Sequence, residues 1–463
     1  MLYKSTRGSS DEVPFSEVLL GGLAPDGGLY MPEHFPSMTL EQINAMEGLK
    51  YHELASKILF PFVEGEISKL DFSKLVEETY KIFDMEDVVS LVELEKDKWV
   101  LELFHGPTLA FKDLAMQLLG ALLDYFSQKQ GKRIAVLGAT SGDTGAAAIS
   151  ACARYSNVDV FILYPHGRVT EVQRRQMTTS QAENVHALAV ETDFDGCQAM
   201  VKDMFLDGSM NKEGTRLIAA NSINWTRCMT QSVYFFWSYL KLKDIASSLS
   251  FSIPSGNFGH AYAGWTAKQI GLPIDRLLVA TNSNDVLHKL FSNNLYEKNN
   301  VNQTLAPSMD ISVASNFERL LYNLYNDDPD LLLDAMNTFK KKSIQIPKDR
   351  WPEIQGIFPS LASNDEQITD QIKETFSNYN YLLDPHTATG IRAANKLAQK
   401  EETIVTMATA HPAKFIDAMK SALPDHQVKE PSQLKPTKER EEVFTVLPDN
   451  LKVVKDYVRM NLK

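Results

Sequence analysis

RIAVLGATSGDTGAAAISACARYSNVDVFILYP, residues 133–165, decides the fold. RIAVLG (133–138) is a short apolar run ending at a glycine, the length and setting of a buried strand. ATSGDTG then supplies turn chemistry, and AAAISACARY reads as a helix of small residues. VDVFILYP (158–165) is apolar on both faces, which suits a parallel strand covered by helices above and below. The rhythm repeats outward. HALAVE (186–191) and RLIAAN (216–221) are further strands, followed by FDGCQAMVKDMF and TRCMTQSVYFFWSYL as helices. LSFSIPSGNFG (249–259) leads into a helix from about His260, RLLVATN (276–282) into one from Asp285, and TIVTMATAHPAKFIDAM (403–419) closes the series. Strands alternating with helices imply right-handed crossovers and doubly wound, mainly parallel sheets, an α/β fold.

Two segments depart from that rhythm. LEQINAM, YHELASKILFPFV and FSKLVEETYKIF carry apolar residues at three- and four-residue spacing, so 1–98 reads as a mainly helical region containing a Gly-rich turn (21–32). Residues 292–380 combine an Asn-rich loop with helical patterns such as FERLLYNLYNDDPDLLLDAMNTF, an inserted helical subdomain. The expected division is 1–98, then an α/β unit over 99–235 and a second over 236–463, ending in a charged tail.

The 463 residues have 44% apolar and 23% charged content, ordinary for a globular protein. A net charge of -12 argues against a nucleic-acid partner, which needs a basic face. The N-terminus lacks the apolar core of a signal peptide, and no run reaches membrane-spanning length. Cys152, Cys197 and Cys228 are far apart without CxxC spacing. They read as reduced thiols of a cytoplasmic protein, not a disulfide frame or zinc site, and no metal is expected. HExxH and GxSxG are absent, so no metalloprotease or serine-hydrolase pattern competes.

LELFHGPTLAFKDLAMQLLG (101–120) places Lys112 where an apolar helical pattern begins. Such a lysine either snorkels to solvent or sits in a pocket, where desolvation makes its amine a nucleophile. Two glycine loops bear on the choice. Gly138–Gly145 lacks the Lys-Ser/Thr of a Walker loop and does not match GxGxxG. Its hydroxyls and amides at a helix start suit a carboxylate or phosphate, or are simply caps. Ser255–Gly259 likewise lets backbone amides approach an anion.

The ordered set APDGGLYMP, ELFHGPTLAFKD, ATSGDTGAAA, YPHGRVTEVQRRQMTT, FDGCQ, NSINWTR, PSGNFGH, ATNSNDVL, MDISVASNFERLL, DPHTATG and ATAHPAKF resembles the threonine synthase family. The likeness spans nearly the whole chain. It implies a fold-type II pyridoxal-phosphate enzyme: two doubly wound sheet domains with a helical N-terminal region and a helical insertion. It implies that Lys112 anchors the cofactor covalently. Gly256, Asn257, Phe258 and Gly259 would cradle its phosphate, and Thr409 would bond its pyridine nitrogen. Thr140, Ser141, Asp143 and Thr144 would lie along the substrate-carboxylate loop, and Asn221, Ser222 and Arg227 would face the substrate phosphate. His260 stands where the family more often has Asn or another small polar residue.

The implied reaction converts O-phospho-L-homoserine and water into L-threonine and phosphate, by a monomer or homodimer in the cytoplasm. Lys112 would take the α proton and serve again at Cβ as the γ-phosphate leaves. A related phospho-lyase, releasing a 2-keto acid, ammonia and phosphate, is the rival within the same cofactor class. A non-catalytic binding protein on the same fold is the rival outside it. Arg174, Arg175 and Lys414 either add positive field near the leaving phosphate or sit on a solvated face. His105, His386 and His411 read as hydrogen-bonded structural residues.

Overall fold

Val158–Pro165 is buried at every position: its residues are apolar save Tyr164 and Asp159, whose carboxylate is satisfied by Arg133 at 3.1 Å. It lies in the middle of a five-stranded, all-parallel sheet ordered Thr445–Leu447, Val185–Val190, Val158–Pro165, Arg133–Ala139, Thr215–Ala219. A computed structural model describes residues 1–8, 11–206, 210 and 214–463 of the chain.

A six-stranded sheet runs Ser360–Ala362, Leu277–Thr281, Leu249–Pro254, Thr403–Ala408, Lys98–Glu102, Ser90–Glu95. Its pairings are parallel except the last, a hairpin turned at Asp97 with φ 64°. The helix Lys112–Gln130, buried over most of its length, carries the chain from the large sheet to the small one.

The expected boundaries at 99 and 236 do not coincide with these sheets. Strand Lys98–Glu102 pairs with Thr403–Ala408 of the large sheet, and the tail returns to the small one. In that tail Leu451–Asn461 is an amphipathic helix whose Val454 and Val458 pack with Phe161, Leu163 and Leu188. The charges that made it read as a tail occupy its outer face. The insertion is not wholly helical, because Ser360–Ala362 extends the large sheet beside Leu277–Thr281. Residues 1–98 hold the expected helices Tyr51–Val63 and Lys69–Tyr80, plus a small antiparallel sheet of Val13–Pro14, Leu2–Ser5 and Tyr30–Pro32. Strands this short carry too few alternations to show in the sequence. The helix expected over TRCMTQSVYFFWSYL is two, Trp225–Gln231 and Val233–Leu242. At the break, the Ser232 hydroxyl donates to the Met229 carbonyl at 2.6 Å and competes with the helical ladder.

Candidate active site

The connections that leave the C-terminal ends of Lys98–Glu102, Arg133–Ala139, Thr215–Ala219, Leu249–Pro254 and Thr403–Ala408 carry the site residues singled out in the sequence. This is the end of a parallel sheet at which ligands bind. Between Leu103 and the helix at Lys112 the chain is pinned from within. The Thr108 N–H and hydroxyl donate to the two carboxylate oxygens of Asp113 at 2.8 and 2.7 Å. The Phe111 N–H donates to the Thr409 carbonyl at 2.8 Å, and Ala110 bridges Ala410. Lys112 is therefore fixed beside the end of Thr403–Ala408, and it is only 9% exposed. Burial holds its ammonium below the ordinary lysine range; the Asp143 carboxylate opposes this, and the charges of Lys414 and Arg227 add to it. The snorkelling reading is excluded.

The loop after Arg133–Ala139 brings Asp143 to this amine. The Thr140 hydroxyl accepts the N–H groups of Gly142 and Gly145 at 3.0 and 2.9 Å, which fixes the loop and leaves its O–H free to donate. Gly142 has φ 139°, and a Cβ there would lie 2.3 Å from Gln173 Cδ, so glycine is required. Asp143 Oδ2 accepts from Lys112 Nζ at 3.1 Å and Ser308 Oγ at 3.2 Å. Its Oδ1 accepts from Gln173 Nε2 at 2.9 Å and lies 3.0 Å from Lys414 Nζ. Burial alone would raise this carboxyl, but the two lysines and Gln173 hold it well below the usual range. A carboxylate so placed serves the lysines and would repel a substrate carboxylate. Ser141 and Thr144 are half-buried, and their hydroxyls make no hydrogen bond inside the described chain, so they too are open for that contact.

Ser255–Gly259 is held open by neighbours. Phe258 is left-handed at φ 63°, a conformation stabilised by burial of its ring among Phe291, Phe317 and Phe358. Asn257 O accepts the Asn316 N–H and Nδ2 at 3.0 and 3.1 Å. The amides of Gly256, Asn257, Phe258 and Gly259 donate no hydrogen bond within the described chain. A Cβ on Gly256 would meet Met309 Cα at 3.1 Å, so an added side chain would be crowded there. His260 follows, stacked on Phe111 at 4.8 Å with both ring nitrogens buried and unpartnered. Burial pushes it from 6.5 to about 3, with Lys112 adding to the shift. Its ring proton shifts in NMR are therefore expected to stay constant from about pH 8 to about pH 5. The unfolded chain takes up that proton below about 6.5, so this histidine subtracts stability progressively as pH falls from there.

In NSINWTR, Asn221 Oδ1 accepts the Ile223 N–H at 3.3 Å, and the Ser222 hydroxyl lies 3.4 Å from that of Ser315. Asn316 Nδ2 donates to the Ser222 carbonyl at 3.2 Å and to Asn257 O, tying this segment to the glycine loop. Arg227 is 4% exposed, its Nε and Nη1 have no partner, and burial drives it down to about 10. It has no counter-ion among the described residues. A buried guanidinium without an anion has the chemistry to hold one. Thr409 is buried, with no hydrogen bond from its hydroxyl within the described chain.

Sequence reasoning missed the side chains that organise the site. Lys414 is fully enclosed rather than on a solvated face; Gln173 and Asn316 lay in segments that carried the family resemblance without a role assigned to them, and Ser308 lay in the insertion. Nothing local marks Lys414 in AHPAKF, because its partners come from distant segments. Arg174 and Arg175 pair instead with Glu442 and nearby carbonyls of the C-terminal segment. The three histidines are hydrogen-bonded, as expected. His386 donates from Nδ1 to Asp384 at 2.7 Å and accepts the Ser308 N–H at Nε2, His105 lies 2.9 Å from Glu102, and His411 accepts the Ala413 N–H.

Family comparison separates this arrangement from other lysine-and-anion sites. Residues 2–80 match the family description "Threonine synthase N terminus", 90–338 "Pyridoxal-phosphate dependent enzyme" and 387–458 "Threonine synthase, C-terminal". The threonine synthase of Pseudomonas aeruginosa is 49% identical over 460 residues, covering 99% of this chain and 98% of the relative. The chain belongs to the threonine synthase family. The crystal structure of a pyridoxal-phosphate-bound threonine synthase from Brucella melitensis superposes with a TM-score of 0.96 at 45% identity, covering 100% of this chain and 99% of that one. The "Threonine synthase-like 2" protein of Xenopus laevis is 35% identical over 84% of this chain and 83% of its own length.

The cofactor of this threonine synthase family member is pyridoxal phosphate, and the residues fit it. Free amides at the helix start suit a dianionic phosphate, Lys112 is buried with its amine depressed, and Thr409 keeps a free hydroxyl beside the lysine turn.

Proposed function

We propose that the chain converts O-phospho-L-homoserine and water into L-threonine and inorganic phosphate. The observation that carries this reading is Arg227, a buried guanidinium without a counter-ion whose charge acts on Lys112 in the same chamber. It fits a substrate that brings a phosphate of its own, beyond the one the amides of Gly256–Gly259 would hold. Bound pyridoxal phosphate supplies the electron sink that acidifies the C–H bonds at Cα and then Cβ. The protein does the rest. Lys112 takes and returns the protons at Cα and Cβ, favoured by an amine that releases its own proton easily. Arg227 holds the substrate phosphate bidentately and stabilises it as it leaves. Ser141 and Thr144 receive the carboxylate, while Asn221 and Ser222 line the phosphate end. Phe111 and His260 keep water from the amine until water is needed at Cβ.

Thr409 would meet the pyridine nitrogen with a hydroxyl, which does not keep that nitrogen protonated as a carboxylate would. The weaker sink restrains side reactions. Thr409→Asp is expected to raise the transaminated by-product relative to threonine several-fold, read by chromatography of both. The whole site comes from one chain, so a monomer or homodimer serves equally, and the cytoplasm is the setting its separated thiols suit.

Incubating the loaded enzyme with O-phospho-L-homoserine is expected to give threonine and phosphate in equal amounts. Release of 2-oxobutyrate and ammonia in their place would establish the phospho-lyase and overturn the synthase reading.

A further inference from the structure

We propose that Lys414 is a positioning residue, holding Asp143 so that the Lys112 amine is left free to act as a base. One carboxylate sits between two buried lysine side chains. Lys414, its side chain 0% exposed, lies 3.0 Å from Asp143 Oδ1 and donates to the Thr108 carbonyl at 2.6 Å. Lys112, 3.1 Å from Oδ2, makes no other hydrogen bond. Lys414 Nζ is thus held by a carboxylate and a carbonyl, Lys112 Nζ by the shared carboxylate alone. The amine with fewer partners is the one free to move a proton.

The other charged groups act in the same sense. Arg227, from the helix Trp225–Gln231, adds positive charge and has no anion of its own. His260, from the helix beginning at Gly259, is neutral. Asp113, next to Lys112 and pushed up to about 6 by burial, is committed through both oxygens to Thr108 rather than to the Lys112 amine. His386 faces Asp143 from Pro385–Leu397 but is itself paired with Asp384, and Asp310 is held by Thr304, Asn282 and Asn284. Lys414 also fastens Thr108, hence the turn that presents Lys112.

The assignment rests on Lys112 being the base of the proposed reaction, and its test reads the amine directly. Cofactor-free enzyme is labelled with acetic anhydride across a pH series, and acetylation of the Lys112 peptide is followed by mass spectrometry. Wild-type Lys112 is expected to react with a midpoint at least about one pH unit below that of exposed lysines. Lys414→Gln, which keeps a donor for the Thr108 carbonyl but removes the charge, should raise that midpoint by about one to two pH units. Lys414→Arg should restore it, and the acid limb of kcat in the loaded variants should follow. An unmoved midpoint in Lys414→Gln, or an ordinary midpoint in the wild type, overturns the proposal. If Lys414→Gln does not melt cooperatively, Lys414→Met is read in its place, with the same rise expected and an unmoved midpoint overturning the proposal. A labelling result as expected with no threonine formed would defeat the functional reading alone. Threonine formed with the midpoint unmoved would defeat this inference alone.

Discussion

Lys112→Ala is expected to lower kcat by at least about 10³-fold, because one amine is asked both to anchor the cofactor and to move protons at two carbons. The fold should survive the change. Lys112 sits on the first turn of its helix, and removing a buried, depressed amine also removes a desolvation cost. Borohydride treatment of the loaded wild type should leave a pyridoxyl group on the Lys112 peptide, and the same treatment of the variant should leave none there. A variant that retains more than about a tenth of the wild-type kcat would show that another group moves the protons.

Arg227→Met is expected to reduce kcat/KM for O-phospho-L-homoserine by about 10²–10³-fold, as removal of a desolvated charge partner does. The sign of its stability effect separates a ligand-binding arginine from a structural one. Arg227 is held down to about 10 by burial with no partner at Nε or Nη1, so its charge costs folding free energy in the absence of an anion. The variant should therefore melt at the same temperature as the wild type or higher. Inorganic phosphate should raise the melting temperature of the wild type more than that of the variant. A structural arginine would give the opposite pair of results: a lower melting temperature with kcat/KM little changed.

The parallel core was legible because strands buried on both faces are predominantly apolar, as VDVFILYP and TIVTMA are apart from Asp159 and the two threonines. The glycine loops could be read because their hydroxyls and glycines recur at strand-to-helix turns. Sheet membership could not. Nothing in Lys98–Glu102 says that it pairs with Thr403–Ala408, some three hundred residues away, and Thr445–Leu447 is too short to declare itself a strand. Division of labour within the SGDTG loop was also hidden. Thr140 and Asp143 look alike as polar loop residues, yet one caps the loop and the other bridges two lysines. Lys414 could not be placed in advance, since its burial depends on Thr108 and Asp143, which come from other parts of the chain.

The central claim is that the phosphate leaves from Cγ with its bridging oxygen and that water enters at Cβ. Turnover of O-phospho-L-homoserine in ¹⁸O-labelled water tests it most directly, with both products weighed by mass spectrometry. The expected result is one ¹⁸O in the threonine hydroxyl and none in the phosphate at early times. Label in the phosphate, with homoserine in place of threonine, would mean that the P–O bond is cut, and would contradict the account.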